Sequence, residues 1–269
     1  MKILSETVFV AVFGSIRLHS WTERDALPED AYSLFVSRSA SMGWLSATSS
    51  DQTTPSAHAR WGMNDAGQDW SEKPGTSRIA WVQVAVTGVS GDSLSLPIQP
   101  LVSCVRDVVA RVGKLRLDGL QLLLPLHAGG VPRRELVSGR NWFAISEGDQ
   151  RVRIAVTLDG GESRVIQQRA ESIAETVRDL AAGVFHLESH STDQATAMEL
   201  LPQVVDELWL GSGHHQVTFF GTLPERSFDA LGWTASLFAE ACHLNHVDTT
   251  ALVSIGRPSP SDAFQSPSE

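Results

Sequence analysis

The chain has 269 residues, 42% hydrophobic and 19% charged, which is enough length and apolar material for one large domain or two small ones. Its formal net charge of −10 speaks against binding a phosphate backbone, which needs clustered Lys and Arg, so no nucleic-acid partner is expected. The apolar run at residues 8–13 is far short of the roughly 20 residues of a membrane span and lacks the flanks of a signal peptide. A cytoplasmic protein with no membrane partner is the expectation.

Residues 7–13 (Thr-Val-Phe-Val-Ala-Val-Phe) are β-branched and aromatic and read as a buried strand, continued past Gly14 by Ile16 to His19. Pro28, Glu29 and Asp30 open a short helix through Tyr32, Leu34 and Phe35, where acidic residues suit the positive end of the helix dipole. Residues 46–77 turn to Ser, Thr, Gly, Asp and Pro and read as a long polar loop interrupted by a strand at 57–63. A loop of that length is a lid, a binding loop or disordered. A strand follows at 79–87. Ile98, Leu101, Val102, Val105, Val108, Val109 and Val112 then recur at helical spacing, and Gly113 stops the helix before a strand at 115–124.

Residues 127–141 read as a linker in which Arg133, Arg134 and Arg140 are solvated. Paired strands are expected at 142–146 and 151–158, then an amphipathic helix from Val165 to Leu180 and a short strand at 184–190. A helix over 195–210 restarts at Pro202, since proline is tolerated best in a first turn. A strand at 216–221, a helix at 228–243 and a strand at 250–256 complete the pattern, and the Ser/Pro-rich tail 257–269 has little to bury. Cys104 and Cys242 sit on apolar helical stripes and read as buried, reduced thiols.

Two halves, 1–126 and 142–256, thus share the element order βαββαβ. The expected class is α+β: tandem ferredoxin-like repeats with antiparallel sheets, one arrangement being two sheets that face each other as an α+β barrel-like pair. In such a unit helices cover one face of the sheet and leave the other open. Alternation assigns Val82, Val84, Val86, Ile154, Val156, Leu158, Phe185 and Leu187 to the core. It leaves Trp81, Gln83, Thr87, Arg153, Thr157, His186, Glu188 and His190 on the open side.

His186-x-Glu188-x-His190 is the sharpest local signal. Alternate residues of a strand share a face about 6.6–7 Å apart, so Glu188 can share a divalent metal with His186 or His190, or orient one imidazole for acid/base work. The plain alternative is a strand edge ending in polar residues. His214 and His215 precede the strand expected to pair with this one and are conceivable further ligands. His58 and Arg60 share a face if 57–63 is a strand, and a guanidinium there, like that of Arg153, can hold an anion with a bidentate fork. Trp61 and Trp81, among five tryptophans in the first third of the chain, serve either as ligand walls or as plugs of a satellite core. Asp65, Asp69 and Glu72 read as solvated loop carboxylates. No phosphate loop, nucleophile elbow or C-x-x-C pair is present in the sequence. The glycine turn at 88–91 lacks the lysine and full spacing of a phosphate-binding loop.

The leading expectation is a small-molecule enzyme of acid/base or electrostatic type, catalysing a cyclisation, isomerisation or elimination in a pocket between two sheets. His186, Glu188 and His190 are its expected catalytic groups. His58, Arg60, Trp61, Trp81, Gln83 and Arg153 are its expected substrate contacts. No cofactor is required, a divalent metal at Glu188 being the lesser alternative. The second expectation is a non-catalytic scaffold subunit that docks on another protein, in a homo- or hetero-oligomer.

Overall fold

The computed structural model describes residues 3–22, 30–46, 60–89, 94–145, 150–198, 200–205 and 207–258. It is an α+β protein with one eight-stranded antiparallel sheet. In chain order the strands are β1 (Ile3–Leu18), β2 (Gly62–Gln68), β3 (Ser77–Val89), β4 (Gly113–Pro125), β5 (Val152–Asp159), β6 (His186–Ser191), β7 (Gln216–Leu223) and β8 (Thr250–Gly256). The helices are α1 (Ala31–Ser41), α2 (Ile98–Val112), α3 (Arg133–Phe143), α4 (Val165–Gln168), α5 (Ala170–Ala181), α6 (Glu207–Leu210) and α7 (Phe228–Leu244). Across the sheet the strands run β2-β3-β1-β4-β8-β5-β7-β6, so the two halves join edge to edge through β4 and β8. Two sheets facing one another are therefore replaced by a single continuous one.

Strand parity works as the alternation predicts. Val82, Val84 and Val86 of β3, and Ile154, Val156 and Leu158 of β5, are buried in one core shared by both halves, beneath the helices. Cys104 and Cys242 are buried and unpaired, each on a helix of that layer. Burial pushes the Cys104 thiol up to about 11 and that of Cys242 to about 12, from an ordinary 9.0. Keeping both thiols neutral contributes stability that is whole below about pH 9, where the unfolded thiols begin to ionise, and is lost as pH rises through 11 to 12. Alkylating reagents at about pH 8 should leave both thiols unlabelled until urea unfolds the chain, and the unfolding free energy should fall above about pH 9. Rapid labelling of the native protein would contradict this.

Three elements differ from their sequence reading. The expected linker contains α3, which begins after Pro132, carries Glu135 in its first turn and buries Leu136 and Phe143; it takes in Trp142 and Phe143 of the strand expected at 142–146, and residue 146 lies outside the described ones. Its arginines lie on the polar side, with the Arg133 side chain 70% exposed. In the long polar loop the strand falls later than expected, at β2, and residues 47–59 lie outside the described ones. Among the described residues, the helix expected over 195–210 is a single 3₁₀ turn at Gln194–Thr196 and the four-residue α6. Backbone N–H groups that a helix would use internally are drawn to the sheet instead. That of Met198 donates to Thr157 Oγ1 at 3.0 Å, and that of Val204 to Gln121 Oε1 at 2.7 Å.

This β6–β7 connection is a strap across the face of the sheet that the helices do not cover. Leu200, Val204, Val205 and Leu210 pack there on Phe9, Ala11, Phe13, Leu123 and Leu252. Arg78 Nη1 binds the Gln203 carbonyl at 2.7 Å, and Gln121 Nε2 the Ser254 hydroxyl at 3.0 Å. The centre of the expected open face is thus closed by the chain itself. The unbroken apolar run of β1 is consistent with burial on both sides. The two outermost strands, β2 and β6, are short and each carries a register shift, at Met63/Asp65 and Leu187/Ser189. Bulges of this kind protect a sheet edge from pairing with other chains.

Candidate functional site

The bulge in β6 divides the histidine pair. Before it, His186 lies opposite Thr222 and Leu187 opposite Gly221; after it, Ser189 lies opposite Phe220 and His190 opposite Phe219. One extra residue, Glu188, reverses the alternation, so His190 joins Phe219 on the helix side while His186 stays on the other. The His190 ring lies 5.7 Å from that of Phe219, and its Nε2 is 3.7 Å from Glu171 of α5. Glu188 Oε2 is 3.7 Å from Arg153 Nη2, and His186 is exposed. The expectation that His186, Glu188 and His190 share one face is thereby corrected.

The expected substrate contacts are scattered as well. Trp61, next to β2, is fully buried, donates from Nε1 to Ser39 Oγ at 3.2 Å and lies 5.4 Å from the Trp44 ring. Arg60 has a buried Nε with no hydrogen-bond partner among the described residues, and His58 lies outside them. Trp81 and Gln83 of β3 are half-buried, Trp81 beside Phe9 at 6.3 Å. β2 and β6 are the two edges of the sheet, which at roughly 4.8 Å per strand puts them some 34 Å apart. His186 and Trp61 therefore belong to different ends of the molecule.

A tighter constellation forms where β5 ends. Asp159, its last residue, is 2% exposed and lies opposite Gln216. Its Oδ1 accepts from the Gly161 N–H at 2.8 Å, and its Oδ2 accepts from Gln216 Nε2 at 2.8 Å and from His214 Nδ1 at 2.7 Å. Aspartate is suited to this position because its short side chain bonds the backbone two residues on. Gly161 is left-handed, at φ +60°, and a Cβ there would meet the Leu210 carbonyl oxygen at 2.1 Å. The same turn is stitched to both sides of the His214 segment: Glu162 N–H donates to Leu210 O, and His215 N–H to Gly161 O. Gln194 Nε2 holds the His214 carbonyl at 2.8 Å.

Two amide donors already converge on the carboxylate, so Nδ1 of His214 is its third donor and the proton sits on that nitrogen. In the neutral ring the lone pair is then on Nε2. The His214 side chain, 39% exposed, lies at the wall of a hollow of about 550 Å3 that Gln203, Glu207 and Leu210 also line. A buried carboxylate that fixes a histidine tautomer at a pocket wall is an arrangement able to take up and return protons. A larger hollow, about 710 Å3, lies beside α1 and α2, and there Arg38 and Asp107 already neutralise each other in an ion pair.

Asp159 is separated from His214 by 55 positions and drew no attention in the sequence. The available signal was an acid closing a strand whose neighbours are buried, ahead of a Gly-Gly turn. Among the described residues, no group of three or more His, Cys, Asp or Glu could hold a metal ion, and no helix is long and apolar enough to cross a membrane. Compared with protein families, curated proteins and solved structures, the chain matches none.

Proposed function

We propose that the protein is a small-molecule enzyme working by proton transfer, with His214 as the general base and acid, Asp159 as its positioning residue and Glu207 as a second carboxyl group lining the same hollow. The observation that carries this reading is the 2.7 Å contact between buried Asp159 and His214 at a hollow of about 550 Å3. That volume suits a small metabolite, and isomerisation, elimination and cyclisation all need a proton lifted and replaced without a covalent nucleophile. Each half of the chain is read as a ferredoxin-like unit. Support comes from the matching strand orders, β2-β3-β1-β4 and β6-β7-β5-β8, each traversed as βαββαβ.

The test has two parts. Nitrogen-15 NMR should find His214 protonated on Nδ1. A panel of carbon acids incubated with the protein in D2O should show enzyme-dependent deuterium uptake, reduced about 10²–10⁴-fold in His214→Gln with melting unchanged. An Nε2-protonated ring, or full exchange by the variant, overturns the reading.

A non-catalytic docking subunit is the second reading, favoured by Leu201 and Trp209 of the strap, which are 60% and 40% exposed. Sedimentation across a wide concentration range separates the two. Self-association broken by Leu201→Glu supports docking, and a persistent monomer that catalyses exchange supports the enzyme.

A further inference from the structure

At the opposite end of β5, a hollow of about 370 Å3 is lined by Val152, Arg153, Arg226, Arg257 and Pro258. Three arginines thus line one hollow in a chain whose net charge is −10, and among the described residues no acidic one lines it. They come from three places, the start of β5, the turn after β7 and the end of β8, so the fold gathers them and local sequence does not. Two arginines of the helical layer, by contrast, are neutralised at close range: Arg38 by Asp107, and Arg106 by Asp229 at 2.7 Å. Here the compensation is partial. Among the described residues, Arg153 has only Glu188, at 3.7 Å, and Arg226 Nε is buried with no hydrogen-bond partner. A buried donor left unpaired is destabilising, and clustered like charges repel.

We propose that this hollow binds the phosphate group of a small molecule. Three guanidinium charges against one carboxylate leave a surplus of about two, which a phosphate dianion matches and a single carboxylate does not. Guanidinium forks fit tetrahedral oxyanions in bidentate fashion, and the unpaired Arg226 Nε–H is the donor such a ligand satisfies. The volume admits a metabolite and excludes a nucleic-acid duplex. Val152 and Asp159 are about 23 Å apart along the strand, so this site and the His214 hollow are independent, and so are their tests.

The experiment titrates inorganic phosphate at constant ionic strength, following melting temperature and heat of binding, with acetate as the monovalent control. Phosphate should raise the melting temperature by roughly 2–4 °C with saturation, and acetate should not. The shift should vanish in Arg226→Ala. Arg257→Gln, just beyond the last strand, serves if Arg226→Ala fails to fold, and should weaken phosphate binding at least about tenfold. No phosphate-dependent shift in the parent chain, an equal shift with acetate, or an undiminished shift in the folded variants overturns the proposal.

Discussion

Replacing Asp159 by alanine is expected to cost about 3 kcal/mol of stability and to release the His214 ring. The carboxylate accepts three hydrogen bonds of 2.7–2.8 Å while only 2% exposed. Its removal strands the Gly161 N–H inside a turn and the Gln216 amide beside it, whereas half-exposed His214 can turn to water. The cost is therefore below the sum of three charge-assisted bonds. Asp159→Asn keeps the shape but presents an amide N–H₂ where one carboxylate oxygen accepted, so it should fall between parent and alanine. Urea unfolding measures the loss, and the Nδ1 proton of His214 should exchange freely in the alanine variant. A loss under about 1 kcal/mol would show that backbone bonds alone hold the turn.

Trp233→Ala is expected to cost about 3–5 kcal/mol, the largest single effect in the helical layer. Helix α7 is buried on all sides from Ala230 to Cys242 and lies against α2, α3 and α5. The Trp233 indole is a buried contact with α3. Its Nε1 donates to the Leu136 carbonyl at 3.0 Å, and its ring meets Phe143 edge-on at 5.9 Å. Gly139 passes so close that a Cβ would come within 2.3 Å of the indole. Truncation leaves a cavity and removes the indole donor from the Leu136 carbonyl. Hydrogen exchange should show α3 losing protection before the sheet does. Trp233→Phe, which refills most of the volume and forfeits only the donor, should cost about 1–2 kcal/mol.

The parts of the fold that could be read from sequence are those where one short-range period decides. The valines of β3 and the aliphatic positions of β5 alternate, α2 repeats its apolar stripe, and each landed on the buried side. Reading failed where a long-range partner outbid local preference. The strap has helical spacing, yet its N–H groups found acceptors on Gln121 and Thr157, more than forty positions away in each case. α3 was obscured by proline, glycine and three arginines, because its burial depends on an indole 97 positions distant from Leu136. The candidate site suffered most. A single bulged residue at Glu188 undid the histidine geometry, and no strand pattern announces a bulge. The Asp159–His214 contact exists only once β5 and β7 are paired.

The seam between β4 and β8 has a consequence for how this chain can be cut. From Gly119 to Pro125 it matches Gly256 to Thr250 along seven consecutive pairs, four of them aliphatic on both strands and buried. The register of this seam is unbroken, whereas the pairings of β2 and β6 at the outer rims each carry a shift. Each half produced alone would bare a long, flat, greasy flank with unpaired amides, the template on which foreign strands polymerise. The halves are thus obliged to travel as one polypeptide.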